Sequence, residues 1–465
     1  MKKFLLFILC IVLLYLIPQS SLIETARNSS YSPLYAKNEI LLKFKSGILT
    51  NQIEILMSEI NLKEIEEIPH INVHRVKIPS RYSINEIIEV LNENPLVEYA
   101  EPNYILYLAS IPNDPYFKYQ WALRNIGQEI APPEFNLYHG NPNSDIKAWK
   151  AWDIEKGNEY IIIGVVDTGV ALNHPDLKNN IISSGRDFAN NDFYAMDDHG
   201  HGTHVAGIIS ASSNNGTGVT GVCWKCKILP VKVFNENAIG LTSWVANGII
   251  WAADHGARVI NLSLGGPDVV PNRTLKEAIK YAFNKNVVLV AAAGNDGKEG
   301  VWYPAAWDDY VIAVSATDYN DKFVTFEDTD GRWGSNYGPE VDVAAPGYYI
   351  LSTWGMNLWL RGHPGWRGYS YGNKTSMSTA FVSGEAALIL SHMPSLSNKE
   401  VMNIIRYTAD DVNSNIYPGK DIYIGYGRIN LKKALDFVEL LKRANEITLP
   451  FQRKKHKKIP SDNYY

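Results

Sequence analysis

The chain is predicted to fold as an α/β domain, a mostly parallel central sheet flanked by helices, preceded by a small ferredoxin-like α+β domain. Three observations carry this expectation. Beyond Asp145 the sequence repeatedly forms unbroken Val/Ile/Ala runs, "YIIIGVVD", "CKILPVKVF", "ARVINLSL", "NVVLVAAAGN", "YVIAVSAT" and "EVDVAAPG". Such runs suit strands covered on both faces, whereas a half-solvated strand alternates apolar with polar residues. Helical stretches separate the runs, which is the pattern of parallel strands joined by crossover helices. Before Asp145, residues 37–108 instead follow a βαββαβ-like order.

Taking the elements in order, "MKKFLLFILCIVLLYLIPQSS" sets Lys2 and Lys3 before an apolar run from Phe4 to Ile17. That run has the length of a signal-peptide core and is short for a membrane span. Residues 1–26 are therefore expected to be a signal peptide, and the protein to be secreted or to reside in the cell envelope. An uncleaved anchor is the alternative, because no small-residue cleavage site follows at the usual distance. Cys10 follows Leu9 and so makes a poor lipid-attachment site.

Within 37–108, "EILLKFK", "INVHRVKIP" and "VEYAEPNYILYL" are read as strands, and "TNQIEILMSEINL" and "SINEIIEVLNENP" as amphipathic helices. A domain of roughly 70 residues is enough for one sheet-and-helix core. "ASIPNDP" follows as an exposed, cleavable linker. The main domain is expected over 112–441, with a polar, basic, solvated tail over 442–465.

Composition removes some functions. With 44 Lys and Arg against 49 Asp and Glu, the net charge of -5 gives no general attraction to nucleic acid. The basic run "RKKHKK" is confined to the tail. Apart from Cys10, the cysteines are Cys223 and Cys226 in "CWKC". They suit a local disulfide, half of a metal site, or two small semi-buried residues. Metal ranks last, since no second pair completes a zinc set.

Functional groups of an open α/β sheet gather at the carboxyl ends of its strands. Asp167 ends "IGVVD", His201 opens the small-residue helix of "HGHGTHVAG", and Ser376 opens another in "GNKTSMSTAFVSG". Each alone has an ordinary role: a turn aspartate, a metal-binding pair with His204, a helix cap. Together, in the order Asp, His, Ser, they match one chain order of a hydrolytic triad. Ser376 would attack, His201 would act as general base and then acid, and Asp167 would orient the imidazole. Asn295, at the glycine-flanked end of "VAAAGNDG", offers an amide donor beside the Ser376 N–H for a developing oxyanion.

"VVDTGVALNHPDL", "HGHGTHVAG", "VINLSLGG", "VAAAGNDG" and "NKTSMSTAFVSG" resemble the successive signature blocks of the subtilisin-like serine proteases, spread through roughly Pro112 to Ala434. The segment ending "VEYAEPNY" resembles that family's inhibitory propeptide. The resemblance implies a self-processing zymogen acting as a monomer on polypeptides. It makes Ser263, Leu264, Gly265 and Gly266, with Ala292, Ala293 and Gly294 of "AAAG", the two walls of the primary specificity pocket. "GLTSW", from Gly240 and Leu241 to Trp244, would be an edge strand that pairs with substrate. It also implies a structural Ca2+ held by Asp114, Asp176 and Asn215 side chains and by the carbonyls of Ser212, Thr217 and Val219. An all-oxygen set with two carboxylates suits that hard ion.

Three departures from the family stand out. Lys374 replaces the usual glycine before the Thr-Ser-Met triplet, and Ala380 and Phe381 replace proline and histidine. An aromatic-rich insertion with Trp354, Trp359 and Trp366 precedes Ser376. A pseudoprotease silenced by Lys374 is one competing function, and a metal hydrolase using His201 and His204 is another. The presence of Asp167, His201, Asn295 and Ser376 together argues against the first. The absence of a glutamate base between the histidines argues against the second.

Overall fold

The computed structural model describes residues 35–79, 81–104, 111–130, 139–266, 272–355 and 367–454. The expected signal segment, Cys10, the first two residues of the linker, Trp359, Trp366 and the tail beyond Lys454 lie outside the described residues. The chain divides into two compact units, 1–108 and 109–465.

In the first unit the order is β1 (Tyr35–Phe44), α1 (Thr50–Ile60), β2 (Lys63–Ile68), β3 (Val73–Lys77), α2 (Ile84–Asn92) and β4 (Val97–Tyr104). The four strands form one antiparallel sheet in the order β2-β3-β1-β4, the expected ferredoxin-like arrangement. Its core is small: Ile40 and Leu42 of β1, Leu56 of α1, Val76 of β3, and Ile87 and Leu91 of α2. Ser83 caps α2 and exchanges hydrogen bonds with Glu86, satisfying two orphan backbone donors at the helix start.

The second unit is built on a seven-stranded sheet. Its elements are β5 (Ile162–Asp167), β6 (Arg186–Asp187), α3 (His201–Ser210), β7 (Lys227–Lys232), α4 (Thr242–Asp254), β8 (Ala257–Leu262), α5 (Arg273–Asn284), β9 (Val288–Ala292), β10 (Val311–Thr317) and β11 (Val343–Pro346). The strand order is β11-β10-β9-β8-β5-β7-β6, and every pairing is parallel. The apolar runs were the strand signal because these strands are largely buried, and every residue of β9 and β10 is. The order reverses at β5, whose neighbours β7 and β8 lead the chain away on opposite sides. That reversal opens a crevice at the carboxyl ends of β5 and β8.

An antiparallel ribbon, β12 (Ile350–Thr353) and β13 (Tyr369–Gly372), leads into α6 (Thr375–His392), followed by α7 (Asn398–Thr408) and α8 (Leu431–Lys454). From Thr375 to Ser391 every residue of α6 is buried, which its run of Ser, Thr, Ala and Gly permits by allowing close approach on all faces. The backbone of α8 continues beyond Leu441, so the expected domain end falls inside a helix. No described helix is long and apolar enough to cross a membrane. Of the alternatives for "CWKC", the structure takes the local disulfide, Cys223 to Cys226, with a Cα–Cα distance of 5.5 Å.

Candidate active site

Asp167 is the last residue of β5 and is 1% exposed. His201 is the first residue of α3, and its Nδ1 lies 2.7 Å from Asp167 Oδ1. The same carboxylate oxygen accepts the Thr168 N–H at 2.7 Å. The carboxylate thus fixes the imidazole's tautomer, with Nδ1 protonated and Nε2 left as the base. Burial pushes the His201 pKa down, but the Asp167 charge and hydrogen bond outweigh it, and the net shift is upward. Lys374 acts in the opposite sense by opposing a second positive charge.

The start of α3 is held by a residue that the sequence reasoning missed. Asp197 Oδ1 accepts from the N–H groups of His199 and Gly200 at 3.0 and 2.8 Å, and its Oδ2 accepts from Thr203 N at 2.9 Å. An anion satisfying the first donors of the helix that carries His201 fixes where the imidazole stands. The acidic pair in "MDDHGHGTH" was the available signal. His204, one turn along, is fully buried, with Nε2 within 3.0 to 3.1 Å of the carbonyl oxygens of Ser370 and Ile350. It is spent on packing. Trp354 of the insertion lies edge-on to His204, ring centroids 6.0 Å apart, and so packs behind this helix.

Ser376 lies in the first turn of α6 and is 6% exposed. Its hydroxyl donates to the Ser263 carbonyl oxygen at 3.4 Å, a long contact, while Ser263 Oγ donates to the Ser376 carbonyl oxygen at 2.8 Å. Among the described residues Ser376 Oγ makes no hydrogen bond to His201, and such pairings are often loose before substrate binds. Behind Ser263, Asn261 Nδ2 donates to its hydroxyl at 2.9 Å, and Ser383 Oγ donates to Asn261 Oδ1 at 2.9 Å. This buried chain ties β8 to α6.

Asn295 follows β9, and its Oδ1 accepts from the backbone N–H and hydroxyl of Thr375 at 3.0 and 2.9 Å. With the oxygen so occupied, both amide N–H groups remain for another acceptor. Thr375 was not singled out from sequence although it adjoins Ser376. Immediately before it, Lys374 has φ 101° and ψ 165°, a region populated almost only by glycine.

The proposed pocket walls leave neighbouring strand ends. Ser263 to Gly266 follow β8, and Ala292, Ala293 and Gly294 end and follow β9, where Leu262 pairs with Ala291. One expectation needs correction. "GLTSW" is not a strand through Trp244, because Thr242 already opens α4. Gly240 and Leu241 alone are non-helical, Leu241 being extended and 51% exposed. Thr242, Ser243 and Trp244, placed on the strand by the resemblance, form the first turn of that helix.

Of the residues expected to hold an ion, Asp114, Asp176 and Asn215 lie together. Asp114 accepts from the N–H groups of Asn214 and Asn215 at 2.7 and 3.2 Å, and from Thr220 Oγ1 at 2.7 Å. Asp176 accepts from Val219 N and Asn215 Nδ2, each at 2.9 Å, and its carbonyl accepts from Ser212 N at 2.7 Å. Thr217 N donates to Asn215 Oδ1 at 2.7 Å. The two carboxylates are 4% and 0% exposed, and none of the described Lys, Arg or His side chains pairs with either. Burial, with the Asp114 charge adding to it, pushes Asp176 up to about 6 despite its hydrogen bonds. Two buried like charges without a cation fit a bound divalent ion. Asn215 presents its nitrogen to Asp176, so ligation by its oxygen needs a 180° turn of the amide.

Residues 158–427 match the Subtilase family, and residues 24–103 match the fervidolysin N-terminal prodomain. The chain is 37% identical over 87% of its length to a thermophilic serine proteinase of Bacillus sp. (strain AK1), covering 88% of that protein. It is 40% identical over 70% of its length to thermitase of Thermoactinomyces vulgaris, covering 99% of it. Among solved structures, fervidolysin from Fervidobacterium pennivorans, a keratinolytic enzyme related to subtilisin, matches over 86% of this chain and 61% of that one, with a TM-score of 0.54 and 28% identity. With its seven-stranded parallel sheet and its antiparallel N-terminal unit, the chain belongs to the subtilase family of serine proteases and carries an N-terminal prodomain of the fervidolysin type.

Proposed function

We propose that the chain is an exported endopeptidase, made as a self-processing zymogen and stabilised by calcium, in which Asp167, His201 and Ser376 form the catalytic triad. The observation that carries this reading is the 2.7 Å pairing of His201 Nδ1 with Asp167 Oδ1, which leaves Nε2 free to act as base. Ser376 Oγ attacks the scissile carbonyl carbon while His201 Nε2 takes its proton. The resulting oxyanion is received by the Asn295 amide and the Ser376 N–H. His201 then protonates the departing amine, and water, activated by the same imidazole, releases the acyl group. Losing one oxyanion donor costs about 3 kcal/mol in the transition state.

Gly240 and Leu241 on one side, and Ser263 to Gly266 on the other, would bind the substrate backbone. Asp114, Asp176 and Asn215 side chains, with carbonyls of Ser212, Thr217 and Val219, would hold the ion, which supplies charge neutralisation and no chemistry. Lys2, Lys3 and the apolar run after them support export. Residues up to about 108 would act as inhibitor until cleaved near the "ASIPNDP" linker.

Wild type and Ser376→Ala, purified without other proteases, test the reading. Wild type is expected to lose the region before about Pro112 and to hydrolyse unfolded casein, whereas Ser376→Ala stays full length and inactive. Equal processing of the two would end the self-cleaving triad.

A further inference from the structure

The two proposed pocket walls share a neighbouring side chain. Gly265, at φ 155°, and Gly294, at φ 119°, carry no Cβ; one added to Gly265 would first meet the Tyr303 carbonyl oxygen at 2.8 Å and one added to Gly294 the Asn336 Nδ2 at 2.5 Å, and both would also press on the same side chain. On Gly265 it would lie 3.2 Å from Trp302 Cβ and 3.4 Å from Trp302 Cε3. On Gly294 it would lie 2.8 Å from both Cγ and Cδ2 of that indole. One side chain, Trp302, therefore lies against both walls.

The indole is also held there. Trp302 N donates to the Ala293 carbonyl at 2.8 Å, fastening its backbone to the second wall. Its Nε1 donates to Asp296 Oδ2 at 2.9 Å, fixing the ring. Next along the chain, Tyr303 bridges to Gly266 of the first wall. A half-buried tryptophan with its polar atom satisfied has little reason to swing aside for a competing side chain.

We propose that Trp302 forms the floor of the primary specificity pocket and restricts the residue before the scissile bond to small side chains: glycine, alanine and serine. The proposal rests on the assignment of 263–266 and 292–294 as pocket walls. A large residue entering there would have to displace the indole and break its bond to Asp296. A small one leaves both intact and lets the substrate backbone lie against the glycines.

The test uses mature enzyme and peptides that differ only in the residue before the scissile bond: Gly, Ala, Leu or Phe. Wild type should cleave Ala and Gly peptides best. Trp302→Gly should raise the Phe-to-Ala ratio of kcat/KM by on the order of 100-fold, the factor that burying one large apolar side chain supplies. Trp302→Phe should fall between. These ratios are independent of the fraction of each variant that folds. A wild-type preference for Phe or Leu, or a ratio unmoved in Trp302→Gly, overturns the proposal while leaving the triad in place. If no peptide is cleaved in a Ser376-dependent manner, the protease site itself is overturned with it.

Discussion

Lys374 is the residue whose backbone and charge both act on the nucleophile's neighbourhood. With φ 101° it stores strain that a glycine would not, of order 1–3 kcal/mol for such outliers. Its N–H donates to the Gly347 carbonyl at 2.9 Å, so the conformation is held by the surrounding fold. Its side chain is exposed, and its charge still lowers the His201 pKa. Lys374→Gly should therefore stabilise the protein by about 1–2 kcal/mol and raise the His201 pKa. Catalysis needs a neutral imidazole, so the acid limb of kcat/KM should move to higher pH. The strain was foreseeable from the missing glycine, because a turn into the nucleophile's helix demands that backbone. The roles of Thr375 and Asp197 were not, since they act by accepting or donating in three dimensions, and their residue types are common at helix starts. If the ammonium instead recognises an acidic substrate residue, Lys374→Gly will weaken cleavage of acidic peptides and spare matched neutral ones.

Among the elements, α6 shows most clearly where the sequence was legible and where it was not. Ser, Thr, Ala and Gly signal close packing, but a helix buried on all faces has no polar stripe, so nothing in "GEAALIL" tells where Glu385 points. The β strands were legible for the opposite reason: continuous apolar runs can be satisfied only by cover on both faces. Glu385 is 1% exposed, and among the described residues neither carboxylate oxygen has a hydrogen-bond partner. Burial, with the Asp410 charge adding to it, pushes its pKa well above the ordinary 4.5. Asp410 itself is held low, since Lys433 and Arg428 outweigh its own burial. Glu385 thus keeps its proton in the folded protein after the unfolded chain has released it. The sign follows: its contribution to stability is full below about pH 4.5 and declines as pH rises. Each pH unit in that window costs up to about 1.4 kcal/mol. Glu385→Gln, which keeps the shape without the proton, should flatten the alkaline side of the Tm profile. The gain over wild type should grow as pH rises above about 4.5, and parallel profiles would exclude the carboxyl as the cause.

For the molecule as a whole, the proposed calcium site ties together segments that are remote in sequence: Asp114 near the domain's start, Asp176 after β5, and the 212–219 loop after α3. The carboxylates converge with Tyr369 as well, whose hydroxyl donates to Asp176 Oδ2 at 3.2 Å. An ion held by all of them stabilises the folded state by mass action, about 2.7 kcal/mol at a hundredfold excess over its dissociation constant. Chelator should therefore lower the Tm of the mature enzyme, and added Ca2+ should restore it. Loss of a ligand and loss of the ion have different consequences, which makes the reading sharper. Without Ca2+, wild type retains two buried carboxylates that repel each other, whereas Asp176→Asn retains one and keeps an acceptor for Val219 N and Tyr369. In Ca2+ the variant should melt below wild type. In chelator the order should reverse or the difference vanish, since the variant no longer carries the uncompensated charge. A variant that is equally sensitive to chelator would place the ion elsewhere, and a wild type indifferent to chelator would remove it.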